Sequence, residues 1–147
     1  MNNYKINDSI IIKQIVNNKY NLFNRTFPNI SRRFGKIKID NFDLLMLIDI
    51  FQNTNIGGAL IDSNPKIDIY LKYNLKPKYE LTWIFIGNSY RPINCGYVLF
   101  TCISREYKRI CLKTDNLHTP QSDLIYYKKY EFKQIHQDKN MTYWYKD

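Results

Sequence analysis

The run Glu80-Leu81-Thr82-Trp83-Ile84-Phe85-Ile86, followed by Gly87-Asn88-Ser89-Tyr90 and then Arg91-Pro92-Ile93-Asn94-Cys95-Gly96, decides how the rest of the chain is read. Its first seven residues follow Pro77 and are rich in β-branched and aromatic side chains, the pattern of a buried central strand. After Asn88 the texture changes, and Tyr97, Val98, Leu99, Phe100, Cys102 and Ile103 recur at helical spacing. A strand therefore feeds a helix through a loop carrying an arginine and a glycine. Such a loop offers backbone N–H groups and the positive end of a helix dipole to a phosphate.

Toward the C-terminus, Arg109 to Lys113 predicts a short strand. Thr119-Pro120 predicts a helix start, with threonine as cap and proline in the first turn, and the helix carries Leu124, Ile125, Tyr127 and Lys128 up to Tyr130. Two last strands, near Phe132 to His136 and Met141 to Tyr145, flank the turn Gln137-Asp138-Lys139-Asn140. Toward the N-terminus, Ile67 to Tyr73 alternates like an extended stretch, and Phe42 to Phe51 with Ile56 to Ile61 predicts a hairpin. Ser31 to Gly35 reads as a short helix or turn ended by glycine. From Ile10 toward Leu22 the apolar residues recur mostly at three and four, which predicts an amphipathic helix capped by Asp8 or Ser9. The summed order is β-α-α-β-β-β-α-β-α-β-β, an α/β (α+β) mixed sheet with helices on it, in one domain over residues 1–147.

Composition agrees with one buried core: of 147 residues, 44% are apolar and 24% charged. No apolar run approaches the roughly 20 residues that span a bilayer, and Lys13 cuts Ile10 to Ile12 before a signal-peptide core can form. A soluble, cytoplasmic protein with no membrane partner is the expectation. Cys95, Cys102 and Cys111 form no Cys-x-x-Cys pair and the only histidines are His118 and His136, so a metal site is not expected. The three read as reduced thiols, with Cys95 and Cys102 small buried residues on one helical face. A formal net charge of +9 predicts an anionic partner without choosing among nucleic acid, an acidic protein and a phosphate-rich cofactor.

The stretch from Glu80 to Gly96 resembles the acetyl-coenzyme A binding core of the GNAT superfamily of N-acetyltransferases. There a strand with an aliphatic end is followed by Arg or Gln, two variable residues, Gly, one variable residue, and Gly or Ala. Ile86 matches the aliphatic end, Tyr90-Arg91 the aromatic and basic pair that opens the loop, and Gly96 the final glycine, while Asn94 replaces the internal one. Tyr127-Lys128-Lys129-Tyr130-Glu131-Phe132 resembles the family's Tyr, Lys and Gly-Phe entry to its sixth strand, with Glu131 in place of glycine. Tyr143-Trp144-Tyr145-Lys146 is similar to the family's last strand.

This resemblance implies the GNAT-like acyl-CoA N-acyltransferase fold, with acetyl-CoA as co-substrate and a primary amine as acceptor. Arg91, Ile93, Asn94, Cys95, Gly96 and Tyr97 match the pyrophosphate cradle, although Pro92 has no N–H to give. The backbone of Ile84, Phe85 and Ile86 matches the segment that pairs with pantetheine. The attacking amine must lose a proton, and Glu80 matches a general-base glutamate; as a lone carboxylate at a strand edge it is otherwise merely solvated. Asp43 and Asp49 are substitutes for it, depending on their faces. Tyr127 matches the tyrosine that protonates the departing thiolate, or else it is a packing tyrosine. The acceptor is a small molecule or a protein amine, transfer is direct within a ternary complex, and a homodimer has room. Two other function classes stay open. Pro92, Asn94 and Glu131 suit a degenerate GNAT fold acting as a non-catalytic interaction module. Charge and tyrosines suit a small nucleic-acid binder, against which the basic residues are scattered along the sequence and form no known motif.

Overall fold

The computed structural model describes residues 2–5, 10–18, 42–86, 95–119 and 121–147. In chain order the elements are β1 (Asn2–Lys5), β2 (Ile10–Asn18), β3 (Phe42–Asp49), β4 (Thr54–Asp62), α1 (Asp68–Leu71), β5 (Tyr79–Ile86), α2 (Cys95–Glu106), β6 (Ile110–Asp115), α3 (Gln121–Lys129), β7 (Lys133–Gln137) and β8 (Met141–Lys146). The strands form one mixed sheet in the order β1-β2-β3-β4-β5-β6-β8-β7. Every neighbouring pair is antiparallel except β5 and β6, whose parallel pairing needs a crossover, and α2 supplies it.

Two expectations fail. Ile10 to Leu22 does not start as a helix: Ile10–Asn18 is a strand between β1 and β3, with Ile12 opposite both Tyr4 and Leu47. Ile10, Ile12 and Gln14 are buried at period two, and β-branched side chains favour that pleated surface once neighbours supply the ladder. Ile67 to Tyr73 is not extended either. It holds the helical turn α1, which drives Tyr70 into the sheet, where its hydroxyl donates between the carbonyls of Leu112 (3.1 Å) and Trp144 (3.2 Å). The expected short helix at Ser31 to Gly35 and the caps Asp8 and Ser9 lie outside the described residues.

The β3–β4 hairpin, the central strand, both later helices and the last hairpin stand where the sequence puts them. Asp49 turns the first hairpin by accepting the N–H groups of Phe51 (3.1 Å) and Gln52 (3.2 Å), with Asn53 at φ 53°. One face of the sheet packs under α2 and α3, where Leu99, Phe100, Ile103 and Tyr127 cover Leu45, Ala59, Ile61, Leu81, Ile110 and Trp144. The far face holds Phe42, Leu44, Met46 and Leu60, and beside them Cys111 and Tyr145 beneath Tyr70. Gly58 sits in mid-sheet where a Cβ would run into the carbonyl oxygen of Leu45. α3 ends in a Schellman-type cap: Phe132 N–H bonds the Tyr127 carbonyl (3.0 Å), Glu131 N–H bonds that of Lys128 (3.1 Å), and Glu131 takes φ 69°.

Candidate functional site

The start of β5 is tied down by the turn before β6. Lys78 N–H (2.7 Å) and Tyr79 N–H (3.3 Å) both donate to the Arg109 carbonyl, and Arg109, at φ 56°, sends its Nε back to the Lys76 carbonyl (3.0 Å). This anchors the two parallel register pairs between β5 and β6, Tyr79 with Ile110 and Glu80 with Cys111. Beyond them β5 continues through Ile86 along β4, while β6 follows β8. The two strands therefore part in a wedge that, over six residues of β5 at ~3.3 Å each, runs ~20 Å. Beyond Cys111 no described residue of β6 pairs with β5, so this edge of β5, including the backbone of Ile84, Phe85 and Ile86, is without a β6 partner. A bulge at Thr82, between the pairs Ile61 with Leu81 and Leu60 with Trp83, bends β5 just past the apex; Thr82 Oγ1 donates to the Leu60 carbonyl (3.1 Å).

Glu80 stands at the apex. It is paired with Asp62 on β4 and Cys111 on β6, so it shares the far face with them. It is 8% exposed, which removes the solvated-edge alternative. Its Oε2 has no hydrogen-bond partner among the described residues; Lys113 Nζ, 3.7 Å away, gives a charge contact too long for a hydrogen bond. Burial, above all, and then Asp62 push the carboxyl above its usual range, while Lys113 pulls it back.

Tyr127 lies on the other face of the sheet. It is buried on α3, edge-on to Phe100 (5.6 Å between centroids) and Phe132 (6.2 Å) and tilted against Trp144 (6.0 Å). Trp144 pairs across the sheet with Leu112, the first β6 residue after the apex. The Schellman bonds hold the Tyr127 carbonyl and the Phe132 ring together at the helix end. Glu80 and Tyr127 thus lie on opposite faces of the sheet.

This architecture recurs in known acetyltransferases. The chain is similar to Arabidopsis thaliana NAA60 in complex with acetyl-CoA (TM-score 0.59, 13% identity, 91% of this chain and 98% of that one). It is similar to Arabidopsis thaliana Naa50 in complex with the bisubstrate analogue CoA-Ac-MVNAL (TM-score 0.58, 10% identity, 92% and 98%). It also resembles an N-acetyltransferase from Staphylococcus aureus Mu50 (TM-score 0.56, 9% identity, 95% and 99%). The chain has the GNAT fold. No family model and no curated protein matches the sequence.

Within the GNAT fold, the loop expected to cradle pyrophosphate falls partly beyond view: Arg91, Ile93 and Asn94, with Pro92, lie outside the described residues. Cys95, Gly96 and Tyr97 form the first turn of α2, whose leading N–H groups carry the positive dipole end. Asp43 and Asp49 have structural tasks. Asp43 Oδ2 accepts the Tyr107 hydroxyl (2.7 Å), which in turn accepts Gln14 Nε2 (2.8 Å), and Asp49 holds the hairpin turn. Cys102 and Cys111 are buried, and burial lifts their thiols to about 11 and about 12. Among the described residues no cluster is placed to hold a metal, and no helix is long and apolar enough to cross a membrane.

Lys113 was not marked by any sequence motif. Its only signal is parity, two residues beyond Cys111 on a short strand. The structure also gathers basic residues that are far apart in sequence. Two adjoining grooves of about 540 and 360 Å³ share Glu131 and Lys146 and are lined between them by Arg105, Lys108, Lys128, Lys129, Lys133 and Lys146. They lie at the C-terminal ends of α2 and α3, the pole opposite the N-terminus of α2.

Proposed function

We propose that this chain, as one domain, is a GNAT-type N-acetyltransferase that moves an acetyl group from acetyl-CoA to a primary amine. The observation that carries this is the wedge between β5 and β6, with Glu80 at its apex and Tyr127 buried on the opposite face of the sheet. The fit to the donor rests on the β5 edge, whose backbone groups beyond the apex have no β6 partner and suit the amides of an extended pantetheine arm. Ile84, Phe85 and Ile86 would hold that arm, and Arg91, Ile93, Asn94, Cys95, Gly96 and Tyr97 its pyrophosphate. Two of the similar structures hold acetyl-CoA or a CoA–peptide analogue, which supports the choice of donor. Acetyl-CoA supplies an activated acetyl group as a thioester.

The chain's own residues supply proton handling. A protonated amine has no lone pair, so Glu80, on the far face, takes its proton as the amine arrives from that side. Its burial suits the task, because a desolvated carboxylate holds a proton more firmly than a solvated one. Tyr127, on the helix face, donates its phenolic proton toward the departing sulfur. Acceptor and donor are therefore read as entering from opposite sides of the sheet.

Thermal-shift titration with acetyl-CoA should raise the melting temperature, since a ligand bound only by the native state stabilises it. A thiol-release assay over a panel of amines should then give turnover that falls on the order of 10²-fold or more in Tyr127→Phe and Glu80→Gln. Absence of any shift at millimolar acetyl-CoA would sink the proposal. The paired basic grooves favour a second reading, an anionic macromolecule docking at the opposite pole. Salt-sensitive binding of random single-stranded oligonucleotides, weakened by Lys108→Glu with Lys133→Glu, would support it.

A further inference from the structure

We propose that Lys113 is a positioning residue of this site, keeping the buried Glu80 carboxyl in its ionised, proton-accepting form. The inference rests on the role given to Glu80 above and adds a group that no motif assigns. Lys113 follows Cys111 by two residues on β6, so its side chain rises on the far face beside Glu80, with Nζ 3.7 Å from Oε2. That oxygen has lost its water and has no hydrogen bond from any described residue, so a charge contact is its compensation.

Among the described residues, few titratable groups face this carboxyl. From β4 comes Asp62, from β6 come Cys111 and Lys113, and from α1 comes Tyr70. Cys111 and Tyr70 are held neutral by burial, so among these the charged groups are Asp62 and Lys113. Asp62 opposes ionisation and Lys113 favours it. The lysine side chain is 40% exposed while the glutamate side chain is 11% exposed. Its attraction is therefore partly screened: it offsets part of the effect of burial, and is too weak to turn Glu80 into a carboxylate that cannot take up a proton. A buried, bidentate arginine would do the latter.

The test follows the carboxyl itself. Carbon-13 NMR titration, with the Glu80 resonance assigned by its loss in Glu80→Gln, should show about tenfold tighter proton binding in Lys113→Met, the low end for removing an opposite charge at this distance. Lys113→Arg should restore behaviour near wild type, and Lys113→Gln provides a polar second variant if the methionine form does not fold. In thiol-release assays the acid limb of kcat/KM should move to higher pH by the same factor in Lys113→Met. An unmoved Glu80 titration overturns the proposal whether or not the protein is active. A carboxyl that moves while the acid limb of an active enzyme stays put removes Glu80 from the reaction, and the positioning role with it.

Discussion

Glu131 stands at φ 69°, a conformation that costs a residue with a Cβ about 1–2 kcal/mol. It is the C′ residue of the α3 cap, where the related motif carries glycine. Glu131→Gly removes that cost and adds about 0.4–1 kcal/mol of backbone freedom to the unfolded chain. The side chain is exposed, so no core packing is lost, and its attraction for Lys146 is a surface interaction worth ~0–1 kcal/mol. Glu131→Gly should therefore stabilise the protein by ~0–1 kcal/mol, which for a domain of this size is a rise in Tm of up to ~4 °C. Urea melts should show a higher midpoint with an unchanged slope. Glu131→Ala is the control, because it removes the same carboxylate and keeps the strained backbone. If the glycine variant is no more stable than the alanine variant, the left-handed cap is not the source of the cost.

Gly58→Ala should destabilise by about 1–3 kcal/mol in the same melts, because the new methyl meets the Leu45 backbone and a central strand must shift. Tyr107→Phe deletes the hydroxyl that joins Gln14 to Asp43 while leaving the ring's edge contact with Tyr79, and should cost about 1–3 kcal/mol. Folding raises the proton affinity of Glu80, so the native state binds this proton more tightly than the unfolded chain. The resulting penalty is absent below the ordinary carboxylate range and grows as pH rises through the shifted value. Glu80→Gln should accordingly gain stability over wild type as pH rises above about 4; a gain that instead grows toward acid would reverse the assigned sign.

Most of the second half of the fold is legible in the sequence because its signals are local. Trp83 to Ile86 is a continuous apolar run, Thr119-Pro120 marks a helix start, and Asp138 sits in the turn before the aromatic strand β8. The first strand pair was hidden by composition. Ile10-Ile11-Ile12 with Ile15 and Val16 satisfies a helical period as well as a strand period, and only pairing with β1 and β3 separates them. The site divides in the same way. Tyr127 and Glu80 are visible as residues, but their opposite faces are not, since face follows register. The Thr82 bulge even breaks simple alternation, putting Trp83 with Leu60 on the far face and Ile84 under the helices. Lys113 could not be found without knowing that β6 lies beside β5.

The two-pair contact between β5 and β6 has a mechanical side. The strands from β1 to β5 form one stiff antiparallel panel and β6 to β8 another, and among the described residues the panels meet in backbone register only at Tyr79 with Ile110 and Glu80 with Cys111. The molecule is bound like a book along a spine two residues long, with α2 as the strap across its cover. Pulled apart, it should open along that spine before either panel unzips. Any molecule lying in the wedge therefore stitches the pages together as it binds, and the rigidity of the whole sheet becomes a readout of occupancy.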